Sequence, residues 1–181
     1  GRVNTNMVKW GATIESLRAA TSNPSIMVGA GDLIGASEFA SALAQDQPAI
    51  DVLNALALDA SAVGNHEFDQ GWVDLRDRVI GPAGNRNADW TYLGANVYAK
   101  GTQDPVLPEY AMFDMSGVSV AVVGAVTEET RSLVSPGGIT EIDFSNPATA
   151  VNRGARQLSD GNPDNGEAQV IVASFHAGAS K

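Results

Sequence analysis

The chain has 181 residues, 21 carboxylates against 11 Lys and Arg, and no cysteine. The charge of −10 is spread evenly, with 11 acids and 6 bases in residues 1–90 and 10 and 5 in residues 91–181, so no basic patch hides in it and binding to nucleic-acid phosphates is disfavoured. The lack of cysteine excludes disulfide scaffolds, cysteine-based zinc modules and thiol catalysis, and no apolar run approaches the ~18 residues of a membrane span.

The sequence opens on Gly1-Arg2-Val3-Asn4, without an initiator Met or the apolar stretch of a leader, and reads as a trimmed piece of a longer protein. Met7, Trp10, Ile14 and Leu17 recur at steps of three and four, which predicts a helix over residues 7–20. Ser22-Asn23-Pro24 stops it. Ile26 to Ala30 reads as a short buried strand running into Gly31-Asp32. A helix is expected over residues 37–45. A second starts at Gln47-Pro48, with Ile50, Leu53, Leu56 and Ala57 inward and Pro in its first turn. Asp59 to Val63 is the next strand, ending in Gly64-Asn65-His66-Glu67. Trp72, Leu75 and Val79 make another helical stripe, and residues 81–88 form a loop. Trp10, Trp72 and Trp90 read as packing anchors.

Residues 91–98 read as one strand. Tyr110 to Met115, a Ser116-Gly117 turn and Val118 to Val126 read as a β-hairpin. Thr127-Glu128-Glu129 opens a short helix, and Ser145-Asn146-Pro147 opens one running to about Leu158. Gln169 to Phe175 is the last strand, followed by His176-Ala177-Gly178-Ala179. Strands alternating with helices predict an α/β fold, and the hairpin makes its sheet mixed.

Three strands thus end in polar, glycine-containing turns carrying Asp32, Asn65-His66 and His176. In open α/β sheets ligands bind beyond the carboxyl ends of the strands, so the three ends can converge on one site. A carboxylate, an amide oxygen and an imidazole suit Mn, Zn, Fe or Mg ions. A carboxylate has two oxygens and can bridge two metals, and such pairs clamp both the attacking and the leaving oxygen in phosphoryl transfer. His66 and Asp69 are three residues apart, so Asp69 can fix the tautomer of His66. A histidine held in this way can donate to a phosphate oxygen or protonate a leaving alkoxide. Taken singly, each of these residues also fits a turn, a cap or a solvated loop. Other motifs fail: Gly29 to Gly35 is one residue off a dinucleotide fingerprint, no Walker lysine follows a glycine loop, and position 70 is Gln70 where a zincin needs His.

Gly31-Asp32-Leu33-Ile34-Gly35, Gly64-Asn65-His66-Glu67-Phe68-Asp69 and the strand ending in His176-Ala177-Gly178-Ala179 resemble the calcineurin-like metallophosphoesterases. More narrowly they resemble the 5′-nucleotidase branch, with its UDP-sugar hydrolase and cyclic phosphodiesterase relatives. Leu93 to Val97 and Gly124 to Thr127 extend the likeness over nearly the whole chain. The resemblance implies a layered α/β/β/α sandwich with mixed sheets, and two divalent metals in the intact parent. It implies that Asp32 bridges the metals, that Asn65 and His176 ligate the second one, that His66 stabilises the transition state and contacts the substrate with Asn65, and that Asp69 orients His66. A nucleotide or other phosphoester would be the substrate, and the parent would be secreted or cell-surface.

Gly1-Arg2 resemble the residues that follow the family's first Asp-x-His. That motif, a later Gly-His-x-His and a nucleoside-binding domain are therefore expected outside residues 1–181. On this view the chain is a partial catalytic domain that holds metal weakly and is nearly inactive alone, and a sheet edge left unpaired invites self-association. The competing expectation is a non-enzymatic surface or adhesion module that retains the fold.

Overall fold

The computed structural model describes residues 5–178. The readings placed on Gly1-Arg2 and on Ala179 lie outside the described residues.

The first sheet is parallel, in the order β1 (Val28–Ala30), β2 (Ala60–Ala62), β3 (Thr91–Leu93). Its strands are short, and β1 (Val-Gly-Ala) and β2 (Ala-Ser-Ala) are built mostly from small residues. A second sheet is mixed, in the order β5 (Tyr110–Asp114), β6 (Ser119–Val126), β8 (Val170–His176). β5 pairs antiparallel with β6 as the expected hairpin, and β8 runs parallel to β6 on the other side. The two sheets pack face to face. Ala60, Leu93 and Val122 meet between them, and an added Cβ at Gly124 would collide with the Leu93 side chain. Small residues are thus what lets the sheets close on each other.

Helices cover the outer faces. On β6, Ala121, Val123 and Ala125 face away from the first sheet and pack with Ala150, Val151 and Leu158, contributed by α6 (Pro147–Gln157) and its C-cap. Asn146 caps α6, its side-chain oxygen accepting from the Thr149 N–H (2.9 Å). The larger core lies on the other side of the first sheet. There Ile50 and Leu53 of α3 (Gln47–Ala55) join Phe68, Trp72, Leu75 and Val79. α4 (Trp72–Asp74) widens directly into a π-helical turn, Leu75–Ile80, which keeps the stripe Trp72, Leu75 and Val79 buried. Each fully buried side chain of this size contributes roughly 1.5–3 kcal/mol. The result is the expected α/β/β/α layering.

Several expectations need correction. α1 (Thr5–Ala19) forms, but none of its residues is buried, and Met7, Trp10 and Leu17 are exposed. Trp10 is therefore no core anchor, whereas Trp72 and Trp90 are buried. α1 is held instead by Arg18, whose guanidinium donates to the carbonyls of Leu56 (2.7 Å) and Ala57 (3.1 Å) at the end of α3. Leu56 is half-buried and Ala57 exposed, because α3 ends at Ala55 and the chain turns left-handed at Ala57 (φ 49°). α2 covers only Phe39–Leu43 of the expected 37–45. Residues 91–98 are two strands: after β3 the chain turns at 94–96, and β4 (Val97–Ala99) joins β7 (Ile142–Phe144) in a separate antiparallel ribbon. Asn96, wholly buried, makes that turn. Its amide exchanges hydrogen bonds with the backbone of Val126, accepting at 3.0 Å and donating at 2.7 Å. Between β6 and β7 lies the short helix α5 (Thr130–Leu133).

Candidate metal centre

The centre forms where the ends of β1, β2 and β8 meet. The parallel register sets Ala30 beside Ala62 and Val126 beside His176, so the turns after β1 and β2 and the last residue of β8 reach the same end of the molecule. β8 belongs to the second sheet, yet it is tied across to β1. The Ser174 hydroxyl donates to the Gly29 carbonyl (3.0 Å), and His176 Nδ1 lies 2.8 Å from the Ala30 carbonyl.

That second contact defines the imidazole. A carbonyl only accepts, so Nδ1 carries the proton, and in the neutral ring Nε2 turns a lone pair outward. Nε2 lies 3.1 Å from Asp32 Oδ2 and 3.2 Å from Asn65 Oδ1. Three electron-rich atoms from three strand ends therefore converge with no donor among them. Only a cation or an added proton satisfies such a group. A backbone carbonyl behind the second ring nitrogen is also the usual support of a metal-ligating histidine. Among the described residues no group of three His, Cys, Asp or Glu is placed to hold a metal; this set has two such residues, and its third member is an amide. Its chemistry fits a hard or borderline divalent ion.

The expected His66–Asp69 pair is present. His66 Nδ1 lies 2.9 Å from Asp69 Oδ2. That hydrogen bond raises the pKa of His66; partial burial opposes the rise, and the charges of Asp69, Asp32 and Glu67 reinforce it. The His66 backbone N–H donates to Asp32 Oδ1 (3.0 Å). Asp32 thus offers one oxygen to the convergence point and uses the other to hold His66. Asp69 Oδ2 also accepts from the Ala36 N–H (3.2 Å).

Two glycines are required by contact. A Cβ on Gly64 would strike the Asp32 carboxylate and its backbone N, and one on Gly31 (φ 87°) would strike the Gly64 backbone and the His176 ring. Asp32 itself sits in the left-handed region at φ 55°, a conformation that costs a non-glycine residue about 1–2 kcal/mol. The loop that follows is organised by Asp46, which accepts from the Gly35 N–H (3.0 Å), the Ser41 hydroxyl (2.8 Å) and the Ser37 hydroxyl. Burial alone would raise the pKa of Asp46, but Ser37, Gly35, Ser41 and Arg78 together hold it below the ordinary carboxylate value. Ile34, Gly35, Asp46, His66, Asp69 and Arg78 are among the residues lining an adjoining cleft of about 370 Å³.

One residue was not singled out from sequence. Glu67, only 2% exposed, accepts three backbone N–H groups: Asp32 (2.8 Å), Leu33 (2.7 Å) and Gly64 (2.6 Å). Burial pushes its pKa up, and those three amides work against the rise. Its place in Gly64-Asn65-His66-Glu67 was visible, but nothing local in the sequence shows that its carboxylate is buried.

No family model matches the chain. The solved calcineurin-like phosphoesterase YfkN of Bacillus subtilis superposes with a TM-score of 0.73 at 24% identity, over 94% of this chain and 53% of that one. The chain has the fold of the calcineurin-like phosphoesterases. In sequence it is 37% identical to endonuclease YhcR of Bacillus subtilis over 147 residues, 78% of this chain and 12% of that protein. It is 32% identical to a 5′-nucleotidase of Vibrio vulnificus over 151 residues, 81% of this chain and 26% of that one. Within that fold the chain is thus homologous to a segment of the 5′-nucleotidases and their relatives, and it spans between about an eighth and about a quarter of these two curated relatives.

Proposed function

We propose that this chain is part of the catalytic domain of a metal-dependent phosphoester hydrolase acting on nucleotides. The observation that carries the reading is the convergence of Asp32 Oδ2 and Asn65 Oδ1 on His176 Nε2, at 3.1 and 3.2 Å. These three residues would hold a divalent ion of the Mn, Zn, Fe or Mg class. Such ions supply Lewis-acid polarisation of a phosphoryl oxygen and a water acidic enough to attack phosphorus.

The chain's own residues do the rest. His66, kept protonated to higher pH by Asp69, donates to a phosphoryl oxygen or to the departing alkoxide. Asp69 fixes its tautomer and ring plane. Asn65 shares its side chain between ion and substrate. Ligands from these three strand ends alone suit one ion better than two, so residues 1–181 by themselves are expected to bind metal weakly and to turn over slowly.

Nucleotides fit better than polynucleotides. The endonuclease among the relatives raises phosphodiester substrates, but a chain of charge −10 repels a polyanion. A non-enzymatic adhesion module has no use for three lone pairs aimed at one point. An extracytoplasmic location rests on the family resemblance; among the described residues no helix is long and apolar enough to cross a membrane. Self-association belongs to the same reading, since β1 and β8 each lie at one edge of their sheets among the described residues and Val170, Val172 and Phe175 on β8 are exposed. A clean monomer at high concentration in sedimentation would count against it.

The test of the activity uses the full-length protein with Mn²⁺, a nucleoside monophosphate and, separately, single-stranded DNA. His66→Ala is expected to lower kcat by about 10²–10⁴, and Asn65→Asp to lower it as well. Full activity in both variants would refute the site. Cleavage of DNA in preference to the nucleotide would refute the substrate class.

A further inference from the structure

Two of the three residues of the centre, Asp32 and Asn65, lie in turns after different strands with no covalent reason to stay in register, so something must hold the turns together. Between the β1 and β2 turns the His66 N–H on Asp32 Oδ1 (3.0 Å) supplies one link, and the Glu67 side chain supplies three. Glu67 Oε2 accepts from the N–H groups of Asp32 (2.8 Å) and Gly64 (2.6 Å), and Oε1 accepts from Leu33 (2.7 Å). One oxygen therefore bridges the turn carrying Asp32 and the turn carrying Asn65. The hydrogen bond to Asp32 N also fixes the residue whose backbone is left-handed, φ 55°. Gly64, lacking a Cβ, leaves room for the Asp32 carboxylate. Behind Glu67, Phe68 and Tyr92 are buried, and the Tyr92 hydroxyl and Trp90 Nε1 are buried without a well-formed hydrogen bond.

We propose that Glu67 is the positioning residue of the centre, a buried carboxylate clamp that holds Asp32 and Asn65 at the spacing at which both face His176 Nε2. Glu67 touches neither ion nor substrate and acts through the turns it joins. The inference rests on the reading that Asp32, Asn65 and His176 hold a metal, and it adds a residue that is not part of that set. Gln and Asp separate what the clamp needs. Glu67→Gln keeps the length but turns an N–H₂ group toward backbone donors. Glu67→Asp keeps the charge but is one methylene too short to reach both turns.

The experiment is Mn²⁺ binding to the full-length protein, read from the free-ion electron paramagnetic resonance signal, with circular dichroism confirming that each variant is folded under the conditions used. Glu67→Gln and Glu67→Asp are each expected to weaken Mn²⁺ binding by about 10- to 100-fold and to change the line width of the bound ion, which a merely stabilising residue would leave unaltered in the folded fraction. Asp32→Asn serves as reference and is expected to lose at least as much. If both Glu67 variants bind within about twofold of wild type while Asp32→Asn loses affinity, the clamp is refuted and the site stands. If Asp32→Asn also binds normally, the site itself is refuted, and the clamp with it. If neither Glu67 variant folds, amide exchange in the wild-type protein decides. The Asp32, Leu33 and Gly64 amides must then be strongly protected and respond together to a diamagnetic ion such as Mg²⁺; exchange at the rate of free amides overturns the proposal.

Discussion

Two glycine-bearing turns of this molecule have nearly the same composition and opposite surroundings. At the end of β1, Gly31-Asp32 lies against Gly64, His176 and the Glu67 carboxylate, and a Cβ at Gly31 or Gly64 would meet backbone or ligand-type atoms. At the tip of the β5–β6 hairpin, Ser116-Gly117 turns with φ 59° and 86°, and nothing lies within 4 Å of where a Gly117 Cβ would be. In the hairpin, glycine serves its own backbone and relieves a left-handed turn. At the strand ends it serves its neighbours, letting two turns approach until one carboxylate can join them. Mutational cost should follow that difference and not the glycine itself.

The largest effect is therefore expected from Gly64→Ala. Its Cβ has no free direction, so the Asp32 turn must move, at a cost of about 3 kcal/mol, and Mn²⁺ binding should be lost with it. Denaturant unfolding and Mn²⁺ titration measure the two. Next comes Gly117→Ala. There the only cost is the left-handed conformation, about 1 kcal/mol, and Mn²⁺ binding should be untouched. Equal losses of stability in the two variants would break the comparison.

The same contrast explains what was legible in advance. Asp32, Asn65, His66, Asp69 and His176 were readable because each ends or follows a strand, and a strand's carboxyl end is fixed by local pattern. The hairpin and the Asn146-capped helix were readable for the same reason. Glu67 was not, because its role depends on being buried by a turn 35 residues away in the chain. Nor was the break between β3 and β4, which exists because the wholly buried Asn96 pairs with Val126 from another sheet. Periodicity reports which side chains share a face, and only the tertiary partner decides whether that face is covered.

A smaller effect sharpens the strand-end region through pH. The Asp69 hydrogen bond raises the pKa of His66 in the folded state. A raised histidine pKa contributes stability that is fully present below the unfolded value, about 6.5, and is lost as pH rises through the folded value. Asp69→Asn should remove that slope, making the variant less stable than wild type below about pH 6.5, with the gap narrowing above it. Because the pair is about one-third exposed (35% and 28% of the two side chains), solvent screening keeps the difference to ~0.5 kcal/mol. Unfolding of both proteins across pH 5–9 checks it; a gap that widens with rising pH would reverse the assignment.

The smallest effect is expected at Leu17 on α1. Met7, Trp10, Ile14 and Leu17 form a helical stripe, and an inward stripe would make Leu17 costly to replace. Leu17 is 67% exposed, so Leu17→Lys should change stability by less than ~0.5 kcal/mol. Its neighbour behaves differently. Arg18 spans to the Leu56 and Ala57 carbonyls at the end of α3, groups that a helix leaves without internal partners. Hydrogen bonds of this charge-assisted kind are worth about 1.5–3 kcal/mol in partly buried settings, and exposure here puts Arg18→Ala near ~1 kcal/mol. The order of the two variants is the sharper measurement. If Leu17→Lys proves more costly than Arg18→Ala, α1 is held by its apolar stripe after all, and the helix belongs with the packed strand ends and not with the open surface.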